Sequence, residues 1–264
     1  MSAAGSGGAA GAAGAVSSGD AVSAAGSASA GGAVRANGRA GVDAVVFDWG
    51  GTLTPWHTVD FAECWRACGF DAVAADRLLR AEAAVWRRAT ETQVSGTLDE
   101  VFAAAGVSVD GPTLAAYYEW WEQHTYTDPD APALLAALRD RGIRVGVLSN
   151  TLWPRAEHDR VFARDGVLDL IDGAVYTSEI EWTKPHPEAF RAALDAVGRV
   201  SPERAVFVGD RPYDDIAGAH GVGMRAVLVP HSTIPDAQRG PVDGQPDAVV
   251  QRLADLLPIV DAWR

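Results

Sequence analysis

Apolar positions along this chain follow two rhythms. In one, apolar residues rich in valine run together and end on polar residues. Such runs occupy 44–47 before Asp48, 143–148 before Ser149-Asn150, 205–208 before Gly209-Asp210, and 224–229; a shorter one covers 174–176. Runs of this length with β-branched residues are expected of strands buried on both faces of a parallel sheet. In the other rhythm, apolar residues recur at helical spacing: Phe61, Cys64, Trp65 and Cys68, then Leu78, Leu79, Ala83 and Trp86, then 114–121.

The order of the two rhythms predicts the architecture. After the opening strand, 56–127 reads as helical throughout, a bundle of about four helices. Thr97 followed by Glu100 has the spacing of a capping box for a helix ending near Ala105. From Pro132 strands and helices alternate, with helices expected over 132–141, 154–164, 188–197, 213–220 and 247–263. Such alternation implies an α/β fold, a Rossmann-like parallel sheet with helices on both faces. The domains expected are a core of 41–55 and 129–264 and an inserted helical cap of 56–128. Residues 1–40 are Ala, Gly and Ser with hardly a charge or bulky side chain, the composition of a disordered tail, and they lack the pattern of a secretory signal.

Composition narrows the functions on offer. A formal net charge of -13 disfavours nucleic acid as a partner, because affinity there comes from Lys and Arg neutralising phosphates. No apolar run approaches the roughly 20 residues of a membrane span. Two cysteines, Cys64 and Cys68, exclude a disulfide framework and a four-thiolate zinc site, and they fit a reducing cytoplasm. Four apart in a helix, they read as packing residues before they read as a redox pair. Lys184 is the one lysine in a chain whose other basic side chains are arginines. An ammonium makes a compact point contact where a guanidinium fork needs a planar partner.

The candidate chemistry starts at Asp48. A carboxylate at the end of a buried strand stands where open α/β sheets bind ligands, and Gly50-Gly51 free the backbone to turn sharply beside it. Asp48-Trp49-Gly50-Gly51-Thr52, Ser149-Asn150 at a strand end, Lys184-Pro185, and Gly209-Asp210 followed by Asp214-Asp215 occur in that order. Together they resemble the four motifs of the haloacid dehalogenase-like hydrolase superfamily, in the branch with a helical cap inserted after the first motif.

That resemblance implies a Mg²⁺-dependent phosphatase acting on a small phosphorylated molecule. Asp48 is implied as the nucleophile that forms an aspartyl phosphate, with Ser149 and Lys184 holding and neutralising the phosphoryl group. Asn150, Thr52 and Gly51 are implied to bind substrate. Asp48, Asp210, Asp215 and the Gly50 carbonyl supply oxygen ligands of the kind Mg²⁺ prefers. Plainer roles are open to several of these residues: Asp48 and Asp210 as turn caps, Ser149 as a helix cap, Lys184 as a surface lysine. Asp214 serves equally as a solvated helix-terminal charge or as a ligand.

One position departs from the family pattern. Gly50 stands where the family has a second Asp that protonates the leaving group, help typically worth about 10²–10⁴ in rate. Two further readings follow: a metal- and phosphate-binding relative with little or no turnover, and a 2-haloacid dehalogenase-type hydrolase. Cleavage of phosphonates would need a cap lysine, which is lacking. His57, near the start of the cap, is a candidate substitute acid–base, although an ordinary hinge or surface histidine is the favoured explanation of it. Trp56, Trp65, Trp86, Trp120 and Trp121 give the cap an aromatic bias that core packing largely accounts for. Substrate identity and oligomeric state are not written in the sequence.

Overall fold

The structure, a computed structural model, describes residues 41–55, 57, 59–230 and 244–264; the expected tail over 1–40 and Trp56 lie outside the described residues. At its centre is strand β1 (Ala44–Phe47), buried along its whole length. Val45 and Phe47 face one apolar cluster, and Ala44 and Val46 face another. This two-sided burial is why the strand reads as an unbroken apolar run.

Around β1 stand β2 (Arg144–Ser149), β3 (Gly173–Tyr176), β4 (Ala205–Gly209), β5 (Arg225–Leu228) and β6 (Ala248–Val249). The sheet order is β3-β2-β1-β4-β5-β6 and every pairing is parallel. Helices α5 (Ala131–Asp140), α6 (Arg155–Arg164) and α9 (Leu256–Ala262) cover one face. The other face carries α7 (Pro187–Ala196) and α8 (Gly218–Val222). The strand order reverses between β1 and β4, so the crevice for a ligand opens at the carboxyl ends of those two strands.

Four helices intervene between β1 and α5: α1 (Phe61–Ala67), α2 (Ala72–Thr92), α3 (Leu98–Ala105) and α4 (Gly111–Glu122). Asp60, Asp71, Thr97 and Asp110 cap their N-termini through side-chain oxygens. They share an apolar cluster of Trp65, Leu78, Val85, Phe102 and Tyr117, into which Leu152 and Trp153 reach from the sheet side. The α2–α3 connection is bound to the sheet side as well. Ser95 N–H donates to Glu181 O at 2.9 Å, Thr183 N–H to Gln93 O at 2.9 Å, and Leu98 N–H to Leu152 O at 3.2 Å.

Three expectations need correction. The closing helix does not run over 247–263: Ala248–Val249 extends the sheet as β6, and α9 starts at Leu256. Pro258 lacks an N–H and is tolerated only in a first turn, so the helix cannot start much earlier. The helix expected over 213–220 divides into a π-helical stretch, Pro212–Ala217, and α8. The stretch 56–127 holds the four helices expected of it, but the first begins only at Phe61.

Candidate active site

Asp48 follows directly on β1, and its N–H continues the ladder by donating to Val208 O at 2.9 Å. The chain then folds back on itself: Leu53 N–H reaches Asp48 O, and Thr52 and Thr54 N–H both reach Trp49 O. Gly51 makes the turn possible with φ at 92°, a region costly for other residues. Its N–H donates to Thr54 O at 2.7 Å, so the N–H groups of Gly51 and Thr52 are both used within the loop. Thr52 is buried beneath it, while Gly50, Gly51 and Thr54 line the cavity in front of Asp48.

Lys184 meets Asp48 from a loop before α7. Its Nζ donates to Asp48 Oδ1 and to Asp215 Oδ1, each at 2.7 Å, with the lysine only 3% exposed. Asn150, the residue after β2, holds that lysine in place. Its Oδ1 accepts Lys184 N–H at 2.8 Å and its Nδ2 donates to Lys184 O at 3.1 Å. The Asn150 amide, expected to bind substrate, is thus engaged at both ends by the Lys184 backbone. Ser149, at the end of β2, is buried and lines the cavity.

The remaining acids come from the end of β4. Asp210 follows Gly209, and the π-helical stretch turns Asp215 back toward the strand, where its Oδ2 accepts Arg211 N–H at 2.9 Å. This return depends on Gly209, because a Cβ there would lie 2.3 Å from Asp215 Oδ2. Carboxylate oxygens of Asp48, Asp210 and Asp215 lie within 4.8 Å of one another, all three buried. Asp214 is not among them: it lines the cavity with its carboxylate 3.4 Å from the Arg211 guanidinium.

The electrostatics call for a further cation. Four carboxylates, Asp48, Asp210, Asp214 and Asp215, face two cations, Lys184 and Arg211. Burial raises the Asp48 pKa above the usual carboxylate range, with Lys184 opposing and Asp215 adding to the rise. Burial also pushes Asp214 up to about 6. Lys184, despite burial, is held above its ordinary value by Asp215 and Asp48. Buried like charges this close are disfavoured unless a positive ion joins them. The donors are hard oxygens, so the cluster fits Mg²⁺ rather than a thiolate- or imidazole-seeking metal.

The cavity in front of Asp48 has a volume of about 140 Å³. Its outer wall comes from the four-helix segment and its neighbours, among them Phe61, Glu82, Trp86, Tyr117, Trp121 and Trp153. His57 also lines it, exposed, with its ring 5.7 Å from that of His124. The sequence reading passed over Arg211, Thr54 and Glu82. Arg211 sits inside the fourth motif, and Glu82 falls on the Leu78–Glu82–Trp86 stripe of α2, a lone acid at helical spacing between two bulky apolar residues.

A family model described as haloacid dehalogenase-like hydrolase matches residues 42–223. The chain belongs to the haloacid dehalogenase-like hydrolases. Among curated members it is 31% identical over 147 residues to a glyceraldehyde 3-phosphate phosphatase of Methanopyrus kandleri, covering 56% of this chain and 62% of the relative. It is 36% identical over 108 residues to a phosphoserine phosphatase of Thermus thermophilus, covering 41% and 42%. The chain therefore matches less than two thirds of the length of these relatives. In fold it is similar to a haloacid dehalogenase-like phosphatase from Thermococcus onnurineus, with a TM-score of 0.63, 24% identity and coverage of 84% of this chain and all of the other. It is also similar to the L-2-haloacid dehalogenase of Xanthobacter autotrophicus, with a TM-score of 0.59, 22% identity and coverage of 83% and 98%. No helix among the described residues is long and apolar enough to cross a membrane.

Proposed function

We propose that this chain hydrolyses small phosphate monoesters, with Asp48 as the nucleophile and residues 56–128 as a cap over a core of 41–55 and 129–264. The observation that carries the reading is Lys184 Nζ paired at 2.7 Å with both Asp48 and Asp215, beside Asp210 and at the carboxyl edge of the sheet. Asp48 Oδ attacks phosphorus as the ester P–O bond breaks, and the alcohol leaves with a proton taken from water. A second water then splits the aspartyl phosphate, releasing inorganic phosphate and the free carboxylate. Lys184 neutralises the nucleophile and the incoming phosphoryl oxygens, the Ser149 hydroxyl hydrogen-bonds one of them, and Gly51, Thr52 and Asn150 shape the pocket. Asp48, Asp210, Asp215 and the Gly50 carbonyl would hold Mg²⁺, which when bound spreads the phosphoryl charge.

Relatives named for glyceraldehyde 3-phosphate and phosphoserine support a small phosphorylated substrate. Two free thiols, Cys64 and Cys68, support a cytoplasmic setting. A haloacid reading is disfavoured, because the cavity wall away from the sheet carries no arginine or lysine among the described residues to meet its carboxylate. Gly50 favours a second reading, a relative that binds metal and phosphate without turnover. Hydrolysis of p-nitrophenyl phosphate with and without Mg²⁺ separates the two. Metal-dependent turnover that falls at least about 10³-fold in Asp48→Asn supports the phosphatase. Calorimetric Mg²⁺ binding with no turnover supports the second reading.

A further inference from the structure

Beyond the phosphoryl site, the cavity has a second wall with its own chemistry. The rings of Phe61 and Trp121 lie 5.4 Å apart, those of Trp121 and Trp153 6.1 Å, and those of Trp153 and Trp49 5.6 Å, with Tyr117 6.0 Å from Trp153. These five residues all line the cavity, as does Trp86. Among them stands one carboxyl, Glu82 of α2, half-buried and pushed by burial up to about 7, with the Trp86 indole opposing the rise. No arginine or lysine among the described residues pairs with it. Among the described residues the lysine and arginine that line the cavity, Lys184 and Arg211, belong to the phosphoryl side, and the other basic groups lining it are the imidazoles of His57 and His124.

Aromatic faces attract cations through their quadrupoles, and a cluster of them is the common recognition element for organic ammonium groups. A buried carboxyl without a counter-ion is costly to ionise and gains most from a ligand that brings the missing positive charge. A substrate carboxylate at this wall would meet Glu82 with neither a lysine nor an arginine among the described lining residues on that side to screen the repulsion. A cavity of about 140 Å³, similar in size to one that holds a benzene molecule, about 150 Å³, suits a short leaving group.

We propose that the substrate is the phosphate monoester of a short amino alcohol, its ammonium held by Glu82 within the aromatic wall while its phosphate faces Asp48 and Lys184. This rests on the phosphatase reading for where the phosphate lies. It adds the identity of the group at the other end.

The test uses the Asp48→Asn full-length chain, which binds without turning over, and follows intrinsic tryptophan fluorescence in Mg²⁺ buffer. The probes are 2-aminoethyl phosphate, propyl phosphate and 2-carboxyethyl phosphate. The amine is expected to bind at least about 10-fold more tightly than the propyl ester, and the carboxylate more weakly than either. Adding Glu82→Gln keeps the shape but removes the charge, and is expected to bring the amine-to-propyl ratio below about 2. Equal binding of amine and propyl esters, preference for the carboxylate, or an undiminished ratio in Glu82→Gln overturns the proposal. Should wild-type chain with the amine preference fail to release phosphate from any ester, the phosphatase reading fails and the ammonium site stands. Should it hydrolyse all esters without preference, the ammonium site alone fails.

Discussion

Asn150 contacts no reacting atom in this arrangement, yet both polar ends of its amide are spent on the backbone of Lys184. Lys184 in turn reaches two carboxylates with one ammonium, which leaves little tolerance for displacement of its Cα. Asn150→Ala is expected to lower kcat for p-nitrophenyl phosphate by about 10–100-fold, because positional errors of about 1 Å carry losses of that order. The chain should remain folded by circular dichroism; an unchanged kcat means the amide is not needed to place the lysine. At this scale the sequence was most legible where chemistry coincides with a strand end. Asp48, Ser149 and Asp210 each follow an apolar run, so the sheet itself announces them. Asp215 and Lys184 needed the motif spacing. Glu82 stayed hidden because an acid on a helix ordinarily faces water, and only the packing of α2 against α1 and α3 sets which of its faces borders the cavity.

The α3 helix illustrates what element boundaries owe to side chains. Thr97 Oγ1 accepts Glu100 N–H at 3.2 Å, half of the expected capping box. The other half is diverted: the Glu100 carboxylate is gripped by Arg88 of α2, with Nη2 to Oε2 at 3.0 Å, and so ties two helices together instead of closing its own turn. Thr97→Ala should therefore cost about 1 kcal/mol, read from the shift in a urea unfolding curve. A change below about 0.3 kcal/mol would place the N-terminal hold in the Arg88 contact instead. The same competition between local and distant partners explains the elements that escaped notice. Ala248–Val249 carries only a short strand signal, the Asp-Ala-Val-Val of 247–250 that also opens β1, without the bulky apolar residue that follows it there; it is extended because β5 offers an open edge, with Val227 opposite Ala248. The π-helical stretch after Asp210 is likewise set from outside, by the need to bring Asp215 against Gly209.

Across the whole molecule, stability should depend on pH through a residue outside the proposed chemistry. His158 of α6 is buried, stacked on Tyr176 with ring centroids 4.1 Å apart, and hydrogen-bonded through Nε2 to Thr151 Oγ1 at 3.1 Å. Burial, aided by Arg155, lowers its pKa to about 3. Below an unfolded value near 6.5 the unfolded chain takes up a proton that the native chain refuses. The stabilisation is therefore complete above about 6.5 and drains away as pH falls toward 3. Between pH 6.5 and 5 this amounts to about 1.6 kcal/mol, at roughly 1.4 kcal/mol per pKa unit, because the unfolded imidazole is already half protonated at 6.5. Urea unfolding at the two pH values should show that excess loss relative to His158→Phe; parallel losses would remove His158 as the cause. The sheet order also has a consequence for the ammonium at its edge. Every amine-bearing side chain of this protein is concentrated in one atom, Lys184 Nζ, sealed between two carboxylates. Acylating reagents, aldehydes and lysine-directed tagging enzymes consequently meet side chains whose fixed positive charge is otherwise guanidinium alone, and the one amine-bearing side chain is approached only through the cavity in front of Asp48.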